Sequence, residues 1–546
     1  SLLAWMLNPV AWHDYVKDYW KANILPAAAP AGGDAEHNWV LFLQKGVVEL
    51  PPAASQPYTF SQDLSAAATA IGAAAGLQRG DIELLLYEKP GIRDGRHANN
   101  PWLQELPDPV SKVTWDNYAA LSPQTAEGLG LRQGDMVEVK SAAYSVELPV
   151  LIQPGQANGT VAIALGYGRT ACGKAGNNVG KNAYPFVGFS NGTYQYAARV
   201  SLTATGNVYE LAQTQTHHSV EGRDVVRETT FAEYSKDHNA GSNPNHSHNK
   251  LKVDGKDDNP YYSLWDEHIK PGHHWGMAID LNACTGCGAC VVSCSMENNV
   301  PVVGRDEVRR RREMHWIRID RYYAIDEENP ENIEVVHQPM LCQHCDHAPC
   351  ETVCPVLATM HSSDGLNQQA YNRCFGTRYC ANNCPYKVRR FNWFNYADND
   401  AFDYYMNNDL GKLALNPDVV VRSRGVMEKC TFCVQRIQAG KLQAKMERRP
   451  LKDGDIETAC SASCPADAIT FGDINDPESR VSQLLKDDRV YYALSEYNVQ
   501  PGIGYMTLVR NRTKADAHGE EGHGHDAQEK KEERQHQENI YKDLLS

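Results

Sequence analysis

Residues 284–294 read Cys-Thr-Gly-Cys-Gly-Ala-Cys-Val-Val-Ser-Cys, a C-x2-C-x2-C-x3-C run through Cys284, Cys287, Cys290 and Cys294. The chain holds 16 Cys in 546 residues, and all but Cys172 fall between Cys284 and Cys464. A second group is Cys342, Cys345, Cys350 and Cys354, followed by Pro355; a third is Cys374, Cys380 and Cys384, followed by Pro385. The fourth is Cys430 and Cys433, joined later by Cys460 and Cys464, with Pro465 behind. In such runs three closely spaced thiolates curl round one iron–sulfur cube, and the fourth reaches the neighbouring one. Disulfides are the competing use of so many cysteines, but C-x2-C spacing suits metal clusters better.

The crossed pattern assigns Cys284, Cys287, Cys290 and Cys464 to a first [4Fe–4S] cluster, and Cys294, Cys430, Cys433 and Cys460 to a second. Cys342, Cys345, Cys350 and Cys384 take a third. In the remaining set Thr377 stands where a second cysteine belongs. A protonated hydroxyl is a hard, weak ligand beside thiolates, so Cys354, Cys374 and Cys380 are expected to hold a [3Fe–4S] cluster. A four-iron cube with water or Thr377 on its fourth iron is the alternative. Three [4Fe–4S] clusters and one [3Fe–4S] cluster in a line describe an electron wire, in which no side chain does acid–base chemistry. Loss of a corner iron goes with a higher potential, which suits a centre taking electrons from a quinol.

Length and composition set the frame. A chain of 546 residues has room for two to four domains. A mean hydropathy of −0.53 and the lack of an apolar run near 20 residues give no direct membrane span. The net charge of −15 argues against nucleic acid and lends nothing to binding of anionic lipid. No C-x-x-C-H occurs, so no haem is attached covalently, and there is no Walker A sequence or nucleophile elbow. Ser1 to Trp5 shows neither an initiator Met nor an ordered signal peptide. The chain is therefore expected to start inside a longer polypeptide.

Upstream of the cysteines, Trp39 to Leu43 reads as a buried strand and Ser65 to Leu77 as a small-residue helix. Ile82 to Tyr87 is another apolar run. Tyr118 to Leu131 reads as a short helix; Met136 to Lys140, Val146 to Ile152 and Val161 to Leu165 read as strands with Gly and Pro at their corners. That pattern predicts a small β-barrel. Gly166 to Asn182, GYGRTACGKAGNNVGKN, reads as a loop; it lacks the following helix and the acidic residue of a dinucleotide fingerprint. In the cluster region Met277 to Leu281 is a strand delivering Cys284, and Cys290 to Met296 begins a helix. Residues 205–272 read as a solvated linker despite His217, His218 and the tracts at 243–248 and 252–259, and 514–538 as a polar tail. Cys172 reads as a buried small residue. Arg309 to Arg312, Lys387 and Arg389-Arg390 read equally as offsets to anionic clusters, a docking patch or a solvated charge run.

The barrel and its glycine-rich loop, over 117–186, are similar to the C-terminal domain of the molybdopterin oxidoreductase superfamily. The four-run array, with Thr377 in its third run, resembles the four-cluster subunits of complexes such as polysulfide and dimethyl sulfoxide reductase, where the two parts are separate chains. Their fusion resembles the iron–sulfur subunits of alternative complex III, bacterial quinol:electron-acceptor oxidoreductases. The fold implied is multidomain α+β. A molybdopterin-oxidoreductase-like region (1–110) and a pterin-dinucleotide-type β-barrel (111–204) precede a linker (205–272). A double two-cluster ferredoxin-like domain (273–510) and a charged tail (511–546) follow. The resemblance implies a peripheral subunit on the periplasmic face of the bacterial inner membrane. Its partners would be an integral membrane subunit that oxidises menaquinol, multihaem cytochrome c subunits and other subunits of the complex. It also implies that molybdopterin is absent. Two other classes stay open: a molybdenum enzyme whose catalytic half lies upstream, and a scaffold whose clusters lie off the electron path.

Overall fold

The computed structural model describes residues 10–28, 34–48, 50, 63–74, 82–190, 192–217, 225–242, 270–325, 332–402 and 409–511. It divides into two compact units, 1–77 and 78–546. His218, the tracts at 243–248 and 252–259, and the tail at 514–538 lie outside the described residues.

In the first unit the apolar run at Trp39 is helical, not extended. It lies in the helix Ala35–Lys45, where the Asp34 side chain accepts the His37 N–H at 2.9 Å and Gly46 closes the end at φ 72°. Five consecutive apolar residues fit a strand or a buried helix equally, and here the caps decide. Trp39 packs edge-on against Trp20 of the helix Trp12–Asn23. Ser65–Ala74 is helical as expected.

The second unit opens with a closed six-stranded barrel. Its strands are β1 (Ile82–Tyr87), β2 (Ala119–Leu121), β3 (Asp135–Lys140), β4 (Ser145–Ile152), β5 (Thr160–Ala164) and β6 (Ala197–Val208), in the order β1-β5-β2-β4-β3-β6. β1 runs parallel to β5 and antiparallel to β6, so the first strand is drawn from well before the barrel turns. Alternate residues fill the interior: Leu84 and Leu86, Val137 and Val139, Leu148 and Val150, Val161 and Ile163 are all buried. The stretch expected as one helix from Tyr118 splits. Ala119–Leu121 pairs with β4 and β5, and only Pro123–Gly128 is helical. Ser122 accepts the Thr125 N–H at 3.1 Å and Pro123 sits at the first helical position, which fixes the break.

The cysteine-bearing part is built on a four-stranded sheet of β7 (Trp275–Asp280), β8 (Ile469–Asp473), β9 (Val490–Tyr491) and β10 (Ile503–Met506), in the order β8-β7-β10-β9. β7 thus delivers Cys284, and its neighbour β8 follows directly on Cys464 and Pro465. Sequence-distant runs are brought together by this pairing. An antiparallel pair, Arg318–Ile325 with Ile333–Met340, leads into Cys342. One continuous core extends from Ala212 and Trp275 to Tyr505, with the buried cysteines other than Cys433 inside it. No helix of the described residues is long and apolar enough to cross a membrane.

Candidate metal centres

Each run repeats one backbone design. Two residues after its first cysteine the chain turns left-handed: Gly286 at φ 68°, His344 at 46°, Gly376 at 82° and Phe432 at 52°. Further along each run, Cys290, Cys350, Cys380 and Cys460 sit in the helices Ala289–Glu297, Pro349–Thr352, Tyr379–Asn382 and Ala459–Ala462. Three residues after each of the cysteines that precede proline, the chain turns left-handed again, at Leu357, Lys387 and Asp467. A β-carbon on Gly286 would lie 2.5 Å from the His337 ring, so that glycine is required for space as well as for φ. Left-handed His344 and Phe432 cost of order 1–3 kcal/mol each, a strain that persists where surrounding structure over-determines it. Their rings stack at 3.8 Å between centroids.

All sixteen cysteines are free. Burial raises the Cys290 thiol well above its ordinary range, and the charges of Cys460, Cys284, Cys287 and Cys464 add to that. Cys294 is raised by burial and then by Cys430, Cys433 and Cys460. Cys345 is raised by burial and then by Cys342, Cys384 and Cys350. Cys380 is raised by burial, with Cys374 and Cys354 contributing and Arg389 opposing. The thiols therefore gather in four neighbourhoods. Cys460 acting on Cys290, and Cys342 on Cys430, link the first neighbourhood to the second and the second to the third. Every cysteine of the second and third is buried, whereas Cys284, Cys287 and Cys464 of the first and Cys354 and Cys374 of the fourth are half-buried. Thr377 is exposed on the loop between Cys374 and Cys380.

Among the described residues no three His, Cys, Asp or Glu converge as a site for a single metal ion. A cluster, by contrast, spaces its thiolates around a multi-atom inorganic core. The surroundings of the sulfurs fit that second kind of ligand. Backbone N–H groups donate to sulfur from Ala358 to Cys354 (3.2 Å), Ala468 to Cys464 (3.3 Å), Met427 to Cys374 (3.4 Å) and Phe432 to Cys430 (3.4 Å). Asn298 Nδ2 donates to both Cys294 (3.6 Å) and Cys433 (3.7 Å). Donors on several sides of a sulfur favour the anionic thiolate that iron binds. Cys354 shows the balance: burial would raise it, but the N–H groups of Val356, Ala358 and Thr359 and the charge of Arg389 bring it below the ordinary thiol range.

Sequence reasoning missed Asn298, Asn367 and Thr458. Asn367 Nδ2 donates to Cys350 at 3.8 Å, and the Thr458 hydroxyl meets Cys460 at 3.1 Å. No spacing rule flags them, because Asn367 reaches a thiol seventeen residues away through the folded chain. The basic residues also sort themselves. Arg309 and Arg311 donate to the carbonyls of Glu210 and Gln213, and Arg310 and Arg312 flank the buried Glu307. Arg309 and Arg311 fasten the barrel's trailing segment to the cluster region, whereas Arg310 and Arg312 pair within their own segment.

At the glycine-rich loop, Asn117 Nδ2 donates to the carbonyls of Ala164 and Lys181, both at 2.9 Å, and its Oδ1 accepts the Lys181 N–H. Only a single 3-10 turn, Tyr184–Phe186, follows. Cys172, expected to be buried, is half-buried there.

The family model "Molydopterin dinucleotide binding domain" matches residues 95–188, and two 4Fe-4S dicluster domain models match 283–358 and 333–399. The iron–sulfur cluster-binding subunit of menaquinone reductase from Nitratidesulfovibrio vulgaris is 40% identical over 238 residues, which is 43% of this chain and 88% of that protein. A putative iron–sulfur subunit of dimethyl sulfoxide reductase from Halobacterium salinarum is 34% identical, over 43% of this chain and 79% of its own. An iron–sulfur subunit of an Hdr-like menaquinol oxidoreductase from Archaeoglobus fulgidus is 32% identical, over 44% and 86%.

Proposed function

This chain belongs to the family of iron–sulfur subunits of molybdopterin-type oxidoreductases, and from that premise we propose that it is the electron-transfer subunit of a membrane-bound quinol:electron-acceptor oxidoreductase of the alternative complex III type. It would pass electrons from menaquinol, oxidised in an integral membrane partner, toward multihaem cytochrome c subunits on the periplasmic face. Cys284, Cys287, Cys290 and Cys464 would hold one [4Fe–4S] cluster, Cys294, Cys430, Cys433 and Cys460 a second, and Cys342, Cys345, Cys350 and Cys384 a third. Cys354, Cys374 and Cys380 would hold a [3Fe–4S] cluster. Bound there, iron–sulfur clusters supply one-electron chemistry that the amino acids lack.

The observation that carries this reading is that the first three thiol neighbourhoods are linked in series, with the second and third wholly buried and the first and fourth half-buried. At the fourth end Leu357, Phe375 and Tyr379 stand exposed around the thiols, an apolar rim suited to a membrane-embedded partner. The chain's own residues bury the sulfurs of the second and third sets, hold several of the thiolates with N–H donors and, with Thr377, withhold a fourth sulfur from the fourth centre.

EPR of the air-oxidised complex, before and after a menaquinol analogue, tests the proposal. A near-isotropic three-iron signal that vanishes with quinol is expected. A signal that ignores quinol would overturn the electron route and favour a scaffold. The match at 95–188 supports a second reading, the cluster-bearing part of a molybdopterin-dependent reductase. Stoichiometric molybdenum in the purified complex would favour that reading, whereas the first expects the pterin-type region to be empty.

A further inference from the structure

Arg389 has an environment unlike its neighbours'. Arg390, next in sequence, is paired with the Glu313 carboxylate at 2.9 Å, and Arg422 with Glu428 at 2.8 Å. Arg389 is 6% exposed, and its Nη2 donates to Thr359 Oγ1 at 2.9 Å and to Gln369 Oε1. Its Nε and Nη1 are buried with no hydrogen-bond partner of ordinary geometry. Burial works against its charge, and the thiols of Cys350, Cys380, Cys342 and Cys384 more than compensate. Cys380 also lies within reach as an acceptor, and Cys354 feels the same cation. The guanidinium therefore interacts electrostatically with Cys342, Cys350 and Cys384 of the third thiol set and with Cys354 and Cys380 of the fourth.

A guanidinium cannot lose its proton in a protein, and burying it without an anion is costly. Neutral thiols would leave that cost uncompensated. Anionic, iron-bound thiolates on two sides would remove it, and the planar fork can point at both.

We infer that Arg389 is a positioning residue shared by the third and fourth metal centres, a single fixed cation that raises the reduction potential of both. The inference rests on the ligand sets proposed above. One-electron reduction adds one negative charge to a centre, and a buried cation beside it favours the reduced form electrostatically. No proton is transferred, because the guanidinium stays charged throughout. Arg390 and Arg422, neutralised by their carboxylates, have no such role.

The test is a potentiometric titration of the intact complex read by EPR, with iron content measured in parallel. In Arg389→Gln the reduced-to-oxidised ratio at the wild-type midpoint should fall about tenfold at both centres, ~59 mV for one electron. Arg389→Lys, which keeps the charge, should recover most of that. Both signals present at unmoved midpoints, or a shift at one centre alone, would overturn the shared role. Should Arg389→Gln fail to assemble, Thr359→Val removes only an anchor of Nη2; it should shift both midpoints downward by less, and unmoved midpoints would overturn the inference. A wild-type complex that lacks the third and fourth signals would instead sink the ligand sets, and this inference with them.

Discussion

The Glu105 carboxylate accepts the backbone N–H of Gly304 at 2.7 Å, joining the short helix Pro101–Glu105, between β1 and β2 of the barrel, to the start of the helix Arg305–Arg309 in the cluster region. The Val303 N–H and Trp115 Nε1 complete its contacts, at 3.1 and 3.3 Å. Glu105 is 1% exposed. Desolvation by burial is the largest influence on it and pushes its carboxyl up to about 7, although these three donors pull the other way.

A pH dependence of stability follows from that position. Unfolded, the carboxyl ionises near 4.5, and folded it holds its proton to about 7. The folded chain therefore binds more protons in between. Its contribution is complete below pH 4.5 and is lost as pH rises through 7. Thermal melts of wild type and Glu105→Gln across this window should differ progressively, the wild type losing stability relative to the variant toward pH 7. Parallel curves would refute the assignment.

The Arg422–Glu428 pair is almost wholly inaccessible, with side chains 1% and 0% exposed. Arg422 also donates to the carbonyls of Asn298 and Asn299, at 2.7 and 3.1 Å. Glu428→Ala strands a buried guanidinium and should cost about 3–5 kcal/mol. Denaturant unfolding would measure the loss, and a change within experimental scatter would mean that water replaces the carboxylate.

Leu148 is 0% exposed at the centre of the barrel. Leu148→Ala removes its methyl groups and leaves a cavity, for about 2–5 kcal/mol. Because the barrel and the cysteines lie in separate core clusters, the EPR signals of the metal centres should stay as in wild type. Loss of those signals in a folded variant would show the two cores to be coupled.

Thr377 occupies the position that a cysteine fills in the other runs. Thr377→Cys should supply a fourth sulfur and replace the three-iron signal of the oxidised complex with a four-iron signal on reduction. A three-iron signal that survives the substitution would place the cause elsewhere than in the ligand at 377.

The short cysteine runs were legible in sequence because the cysteines within each run lie a few residues apart, and local spacing decides how such a loop wraps. The same holds for strands such as β3 and β4, where alternation and Pro–Gly corners mark both face and ends. Legibility failed at Trp39 to Leu43, since a short apolar run carries no period, and at Tyr118 to Leu131, where Ser122-Pro123 divides strand from helix.

The order of residues was enough to show fifteen cysteines gathered into runs, with Thr377 in place of a sixteenth, behind a barrel-forming segment. What surrounds each sulfur was settled by the folded chain. Asn298 reaches Cys433, Asn367 reaches Cys350 and Arg389 meets the charge of Cys350 because packing brings separated segments together, whereas Thr458 reaches Cys460 locally. The same packing supplied Arg390 with a carboxylate and left Arg389 facing sulfur. Spacing along a chain fixes which ligands can share a centre, whereas burial and charge are properties of the folded volume, to which distant residues contribute equally.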